Sequence, residues 1–309
     1  NDPHLALEIP NTWYLARITA PGLSVSGATA PGVPFHVLGH NNRIAWGFTN
    51  TGSDVQDLFV EKIDPGDPSR DLTPDGPRPF SARQETIKVR GGATVHDTVA
   101  YTVWGPVIFD NTFPEKTTGQ TFLAMRWKAL DPSNELGTFN KLNKARNYDD
   151  YLEALKTYTC PAQNFVFADK AGDIAIWHNG VFPVRWKDQG KWIMPGNDSA
   201  YAWKGFIPHE ELPHIKNPVR GFVCSAYQRP TDSTYPYPLY GEFDLYRGAR
   251  INERLSAMSA ITPQDMMELQ NDDKNLFAAA VMPVLRKHID TASLTAQQQP
   301  YWQLLSSWD

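Results

Sequence analysis

The sequence predicts an α+β protein. Three observations carry that reading. Strand-like alternation dominates roughly the first 130 residues, the middle is mixed, and from about residue 249 the apolar period becomes helical. The chain also carries 21 glycines and 25 prolines, which call for many turns. Its 15 Phe, 12 Tyr and 10 Trp suit short strands better than a helical bundle.

In chain order, Phe35, His36, Val37 and Leu38 form a short apolar run after the turn-prone Pro31-Gly32-Val33-Pro34. A second turn is expected at Gly39-His40-Asn41-Asn42, followed by a strand from Arg43 to Thr49. Val55, Leu58, Phe59 and Val60 suggest another. Residues 63–84, rich in Pro, Asp, Gly and Ser, read as one long loop. Strands resume at 85–89, 95–104 and 121–127. A helix is expected over about 135–144, and a second after Asn147, which offers a cap with Asp149 and Asp150 in the first turn. Strands near 164–168 and 174–178 flank the hairpin signal Asp169-Lys170-Ala171-Gly172-Asp173. A further strand is expected at Gly221 to Ser225. Ile251, Leu255 and Met258 then lie on one helical face. Thr262-Pro263-Gln264-Asp265 has a cap, a first-turn proline and an acid at the third position, and Thr295 is expected to cap a last helix. The organisation reads as a β-rich part over 1–248 and a helical segment over 249–309.

Apolar residues make up 41% of the 309 and charged residues 20%, enough to bury a large core. A net charge of −5 argues against nucleic acid as a partner, and no apolar run approaches the roughly 18 residues that span a bilayer. Two cysteines, Cys160 and Cys224, build neither a disulfide framework nor a four-cysteine zinc site. Asn1-Asp2-Pro3-His4 is neither a start methionine nor a signal peptide, and the end at Ser307-Trp308-Asp309 is equally abrupt, so both ends read as cut.

Four segments could carry chemistry, and each has a bland alternative. Asn1-Asp2-Pro3-His4-Leu5 could be a simple turn. Gly39 through Asn50 could be an ordinary hairpin. Asp54-Val55-Gln56-Asp57 spaces two carboxylates around a backbone carbonyl, which can wrap a hard cation but falls short of six to eight oxygens; a solvated acidic turn is the plainer reading. Gly221 through Pro230 puts polar groups after a presumed strand. There is no Gly-x-Ser-x-Gly elbow, phosphate loop or His-Glu-x-x-His. Composition and spacing stop there.

Taken in order, however, the segments resemble the penicillin acylase family of N-terminal-nucleophile hydrolases. The series opens with Asn1-Asp2-Pro3-His4-Leu5, Trp13-Tyr14 and Pro31-Gly32-Val33-Pro34. It continues through Gly39-His40-Asn41 to Asn50, Asp54-Val55-Gln56-Asp57, Arg126-Trp127 and Asn164 to Asp169. Gly172-Asp173-Ile174, Gly180-Val181-Phe182-Pro183, Pro195-Gly196, Gln228-Arg229-Pro230 and Arg250-Ile251 complete it. No single motif decides the matter; the collinear set covers nearly the whole chain.

The resemblance implies a four-layer αββα sandwich, incomplete here, with the helical segment appended. It implies hydrolysis of a linear amide by acyl transfer to an N-terminal serine, which uses its own α-amine as base. That serine would lie roughly twenty residues before Asn1 in a precursor that cleaves itself, so the chain alone is expected to be inactive. His4 matches the position beside the nucleophile, and Asn50 the residue whose backbone N–H forms half of the oxyanion hole. Tyr227 falls where the family usually has an asparagine that orients the amine and supplies the other donor. Arg250 matches the arginine that supports that asparagine, with Arg247 as the alternative. Leu5, Leu38, Phe48, Phe139 and Gln163 match the acyl pocket; core packing is the competing reading. Asp54, Gln56 through its carbonyl, and Asp57 match a structural calcium site, to which Gly190 adds a carbonyl and an α-subunit glutamate completes the shell. The implied partners are a small N-acyl substrate, the α subunit and the start of the β subunit. Nucleic acid and membrane are not expected partners. A periplasmic or extracellular location is expected. The rival is a catalytically inactive binding or structural module of the same fold, which Tyr227 favours.

Overall fold

In the computed structural model, which describes Leu5, Ala6, residues 8–110 and residues 122–307, strands account for most of the chain as far as Trp127. They are β1 (Tyr14–Ala20), β2 (Leu23–Thr29), β3 (Leu38–Asn41), β4 (Ile44–Asn50), β5 (Gln56–Glu61) and β6 (Ile63–Asp64). Next come β7 (Asp67–Thr73), β8 (Gly76–Pro79), β9 (Ser81–Ile87), β10 (Val95–Tyr101), β11 (Val107–Phe109) and β12 (Phe122–Trp127). Two helices follow, α1 (Glu135–Lys144) and α2 (Tyr148–Leu155), then β13 (Gln163–Asp169), β14 (Ile174–Asn179), β15 (Met194–Pro195) and β16 (His214–Lys216). The rest is helical: α3 (Tyr246–Ala257), α4 (Pro263–Gln270), α5 (Leu276–His288) and α6 (Gln299–Ser306). No helix among the described residues is long and apolar enough to cross a membrane.

The main sheet is antiparallel, in the order β1-β2-β3-β4-β13-β14-β16. Its centre is set by register. Phe48 lies opposite Phe165, and Phe165 opposite Trp177; one residue along, Thr49 lies opposite Asn164, and Asn164 opposite His178. Neighbouring rows face opposite sides of a sheet. The aromatic row faces the helices. Phe48 meets Phe139 of α1 at 6.4 Å between ring centroids, and Tyr151 of α2 meets Phe167 at 4.8 Å. The polar row of Thr49, Asn164 and His178 therefore faces away from them.

The helices form where expected because cap and stripe agree. Asn134 caps α1 by accepting from Gly137, and Asn147 caps α2 by accepting from Asp150. Thr138, Phe139, Leu142 and Asn143 bury one face of α1; Tyr151, Ala154 and Leu155 do so for α2. Polar contacts then fix α1 on the sheet. Asn143 Nδ2 donates to the carbonyls of His36 and Phe139, both at 2.8 Å, and its Oδ1 accepts the His36 N–H at 2.9 Å. Asn41 Nδ2 donates to the carbonyls of Asn143 and Ala145, satisfying the helix C-terminus.

Several expectations are corrected. The long loop over 63–84 is a three-stranded ribbon, β6-β7-β8, followed by the start of β9. Its turns at 65–66 and 74–75 are short, and the polar residues taken for loop are strand positions, mostly exposed but with Asp71 and Thr73 buried. Gly39, His40 and Asn41 belong to β3, so the turn shortens to residues 42–43. Gly39 pairs with Gly27 of β2 so closely that a Cβ on Gly39 would stand 2.3 Å from the Ser26 carbonyl oxygen. Phe35 to Val37 precede that strand and are irregular. Gly221 to Ser225 is irregular too; His214–Lys216 takes the sheet edge instead. β1 and β2, unforeseen, form a long hairpin of which β1 is largely exposed, so apolar alternation did not reveal it. Thr295 caps the turn that leads into α6, its Oγ1 accepting the Gln298 N–H at 3.3 Å and its own N–H donating to Gln298 Oε1 at 3.1 Å, while the helix proper starts one turn later, after Gln298.

Replacing Asn143 by Ala leaves the buried N–H and C=O of His36 unpaired. It should cost about 2–4 kcal/mol, against under about 0.5 kcal/mol for the half-exposed Leu136→Ala on the same helix, both read from urea unfolding midpoints. Equal effects would defeat the assignment of Asn143 as the pin between α1 and the sheet.

Candidate active site

Beyond Asn50 the chain leaves the sheet through a tight loop. Asn50 Oδ1 accepts the Gly52 N–H at 3.1 Å. Gly52 has φ +67°, and a Cβ there would stand 2.4 Å from the Glu242 carbonyl oxygen, so the position requires glycine on both counts. This closeness lets residues 239–244 bind the loop along its length. Glu242 N–H donates to the Gly52 carbonyl at 2.9 Å, Asp54 N–H to Tyr240 at 2.8 Å, and Ser53 bridges to Gly241. The same segment holds Tyr227, whose carbonyl accepts the Asp244 N–H at 2.9 Å. Asn50 and Tyr227, 177 positions apart in the numbering, thus line one open hollow of about 410 Å³ with Gly52, Ser53, Asp54, Gly241 and Glu242.

Tyr227 sits at φ +64°, a conformation that asparagine and glycine adopt far more readily than tyrosine. The guanidinium of Arg247 lies 5.1 Å from its ring centroid. Arg250, by contrast, makes a paired contact with Asp272, Nε to Oδ1 at 2.8 Å and Nη2 to Oδ2 at 2.7 Å, and reaches Glu253 at 3.1 Å. Of the two arginines it is Arg247 that stands over Tyr227.

His4 lies outside the described residues. Leu5 is exposed, Leu38 stands on β3 opposite Ala28, and Gln163 lies opposite Asn50. Phe48 and Phe139 pack together with Phe165 and Tyr158 between sheet and helices. The structure thus joins these two members of the expected acyl pocket within the aromatic core.

The acidic segment is partly neutralised from within. Arg185, almost wholly buried, donates from Nη1 to the Asp54 carbonyl at 3.0 Å and from Nη2 to the Gln56 carbonyl at 3.2 Å. Its Nη2 lies 2.9 Å from Asp57 Oδ1, in ion-pair range but without hydrogen-bond alignment, so Asp57 Oδ1 is a buried oxygen with no hydrogen bond. Trp203 Nε1 donates to the other Asp57 oxygen. Burial raises the Asp57 pKa and Arg185 opposes that rise. Gly190 packs against both; a Cβ there would be 2.6 Å from Asp57 Oδ1. Two carboxylates against one guanidinium leave a net negative charge, and the orphaned oxygen is a hard donor. The chemistry fits a divalent cation beside Arg185, although no three His, Cys, Asp or Glu side chains converge on a metal position among the described residues.

The sequence reading did not single out the polar row behind Asn50. His178 is buried between Ser53 Oγ at 2.9 Å from Nε2 and Asn164 Oδ1 at 2.7 Å from Nδ1. Asn164 Nδ2 lies 3.2 Å from the Asn50 carbonyl oxygen and 2.7 Å from Ser225 Oγ. The only local signal was a histidine and an asparagine at inward strand positions, where either could be a satisfied core residue. Elsewhere on β5, Glu61 is buried beside Asp71 of β7; Thr102 Oγ1 donates to it at 2.7 Å.

Two of these buried groups shape stability against pH. Burial pushes His178 down to about 3, from 6.5 when unfolded, so the unfolded chain alone takes up a proton as pH falls through that interval. Burial pushes Glu61 up to about 8 from 4.5, so the folded protein keeps a proton that the unfolded chain loses as pH rises. The two slopes oppose between 4.5 and 6.5. Burial also raises Asp57 and Asp71, which adds to the loss with rising pH, so stability should fall above pH 6.5 by up to about 1.4 kcal/mol per pH unit from Glu61 alone and fall again below 4.5 as the unfolded chain takes up the His178 proton. Melting curves of Glu61→Gln should lose the fall between pH 6.5 and 8. An unaltered alkaline limb would remove Glu61 as its source.

The family model for penicillin amidase matches residues 1–309. An acyl-homoserine lactone acylase, QuiP, from Pseudomonas syringae pv. tomato is 29% identical over 290 residues, covering 93% of this chain and 34% of that protein. A penicillin acylase 2 proenzyme from Pseudomonas sp. strain SE83 is 28% identical over 311 residues, covering 100% and 39%. The chain thus spans about a third of the length of the curated relatives it matches. A solved thermostable penicillin G acylase from Alcaligenes faecalis superposes with a TM-score of 0.81 over the whole chain and 56% of its own, at 24% identity. The fold is that of this solved acylase, mixed α+β as expected.

Proposed function

The chain belongs to the penicillin amidase family, and from that membership we propose that the protein it forms part of is an amide hydrolase that removes an acyl group from an N-acyl compound. The relatives' names, acylases of penicillins and of acyl-homoserine lactones, support this chemistry. The observation that carries it is the meeting of Asn50 and Tyr227 at one hollow, from positions the family resemblance had assigned to the two sides of an oxyanion hole.

In this reading a serine roughly twenty residues before Asn1 is freed by self-cleavage and attacks the amide carbonyl. Its proton passes to its own α-amine, which is partly neutral near pH 7.7–8.0, roughly the usual range for such an amine. His4 orients the pair. The oxyanion receives hydrogen bonds from the backbone N–H of Asn50 and from the Tyr227 hydroxyl, each donor worth about 3 kcal/mol. Collapse expels the amine, which takes the proton; water then attacks the acyl-serine ester in the same manner and releases the acid. Phe48 and Phe139, with Leu5, Leu38 and Gln163, favour an aromatic or aliphatic acyl chain. The partners are the small N-acyl substrate, an α subunit and the start of the β subunit, and the reading puts the protein in the periplasm or outside the cell.

Asp54, Gln56 and Asp57, with Gly190 beside them, would hold calcium together with ligands from outside this set. The ion would pin the strand end next to the hollow and take no part in bond breaking. The strained backbone of Tyr227 favours one other reading, an inactive module of the same fold.

Mass spectrometry of the full-length protein should show cleavage before a serine upstream of Asn1, and the processed protein should release acid from a chromogenic phenylacetyl or fatty-acyl anilide. Tyr227→Phe should then lower kcat about 100- to 1,000-fold. An uncleaved, inactive full-length protein would sink the amidase reading in favour of the inactive module, while a parent-like Tyr227→Phe would remove only the hydroxyl from the mechanism. For the cation, chelation of the full-length protein should lower its melting temperature and calcium should restore it. A melting temperature indifferent to both would dispose of the site.

A further inference from the structure

We propose that His178 is a positioning residue: through Asn164 it holds Asn50 and the segment leading to Tyr227 at a fixed spacing. The inference rests on the amidase reading above, because it assigns a purpose to the spacing between the two expected oxyanion donors.

The argument starts from an atom with no freedom. The Asn50 carbonyl oxygen can only accept a hydrogen bond, so the Asn164 atom 3.2 Å away must be its NH₂ nitrogen. The same nitrogen donates to Ser225 Oγ at 2.7 Å, and Thr49 Oγ1 donates to that hydroxyl at 2.9 Å. Asn164 Oδ1 therefore faces His178 Nδ1, 2.7 Å away, and needs a donor there, so Nδ1 carries the hydrogen. Nε2 is then bare and accepts the Ser53 hydroxyl at 2.9 Å. Each bond fixes the direction of the next.

The network reaches both sides of the hollow. Asn50 is held directly. Ser225 lies two residues before Tyr227 on the other wall. Ser53 belongs to the loop that residues 239–244 bind, so the imidazole also touches the strut shared by both walls. His178 itself is fixed on β14, 3% exposed and stacked on Phe182 at 5.0 Å. Its burial keeps it neutral across the working range, so it donates from Nδ1 without interruption. A rotated Asn164 amide would set oxygen against the Asn50 carbonyl; the imidazole N–H is what resists that rotation.

A Ser53–His178–Asn164 hydrolytic triad would use the same contacts, but two features oppose it. A base that titrates near 3 is far from the neutral range that general-base catalysis needs. The Ser53 backbone N–H, which an oxyanion would require, already donates to Thr51 Oγ1 at 3.2 Å.

The test uses the full-length, self-processed protein with active sites titrated. His178→Leu should lower kcat about 10- to 100-fold with KM within about twofold, the size expected when a catalytic donor shifts by about an ångström. His178→Gln, which keeps one N–H and one acceptor, should recover most of that loss. Hydrogen exchange of the peptide spanning residues 49–54 should speed up in His178→Leu and not in His178→Gln. In the parent protein, ¹⁵N spectra should show a neutral imidazole protonated on Nδ1 from pH 5 to 9. Should His178→Leu fail to fold, Asn164→Asp, which replaces the donor facing Asn50 by an oxygen, carries the kinetic arm. Parent-like kcat in folded His178→Leu or Asn164→Asp, equal losses in the Leu and Gln variants, or an imidazole protonated on Nε2 would overturn the proposal. A parent protein that hydrolyses no amide sinks the amidase reading instead; the exchange and ¹⁵N measurements still decide whether His178 holds Asn164 and Asn50.

Discussion

The register between β4, β13 and β14 is the constraint on which the rest of the molecule depends. It puts Phe48, Phe165 and Trp177 in one row and Thr49, Asn164 and His178 in the next. Because neighbouring rows of a sheet face opposite sides, one choice of register supplies both an apolar floor for α1 and α2 and a polar row behind Asn50. A slip by one residue would put Asn164 among the aromatic rings and Phe165 among hydroxyls. Burial of Phe165, Tyr151 and Leu155 makes that slip costly, so the core that stabilises the fold also holds the polar row in place.

Buried polar groups are costly unless partnered, and this protein partners them by three different means. His178 is kept neutral and bonded at both nitrogens. Glu61 keeps its proton and sits against Asp71, where two charged carboxylates would repel. Arg185 is set among two carboxylates and two backbone carbonyls. The first and third adjoin the hollow, on consecutive residues: Ser53 meets His178 and Asp54 meets Arg185. The loop that follows β4 is thereby held from within the protein, leaving its other side to the open hollow.

Tyr227 is the point where local preference and tertiary demand conflict. A positive φ suits asparagine, yet tyrosine stands there, beneath Arg247 and against Gly52. Such conflicts persist where surrounding bonds over-determine the backbone, as the bond from Asp244 and the packing of Gly52 do here. A local rule is broken beside the proposed oxyanion site, the kind of position at which such breaks concentrate.

Local chemistry by itself determined the elements whose signals lie within a turn or two of chain. α1 begins and ends where its cap and apolar stripe put it; α2 begins after Asn147; Asp169 to Asp173 turns β13 into β14; and Thr262 with Asp265 forms the capping box of α4. The β6-β7-β8 ribbon escaped that reading because its strands are polar, buried positions such as Asp71 and Thr73 included, and the Gly221 to Ser225 segment, irregular in the structure, brings Ser225 to Thr49 and Asn164 instead of pairing as a strand. Collinear resemblance brought Asn50 and Tyr227 into consideration, but only the tertiary structure set them at one hollow and put Arg247, not Arg250, over Tyr227. His178 and Asn164 meet across paired strands, and Ser53 reaches His178 from 125 residues away. A hydrogen bond between residues that far apart leaves no period, cap or spacing in the sequence; it exists only once the sheet has chosen its register.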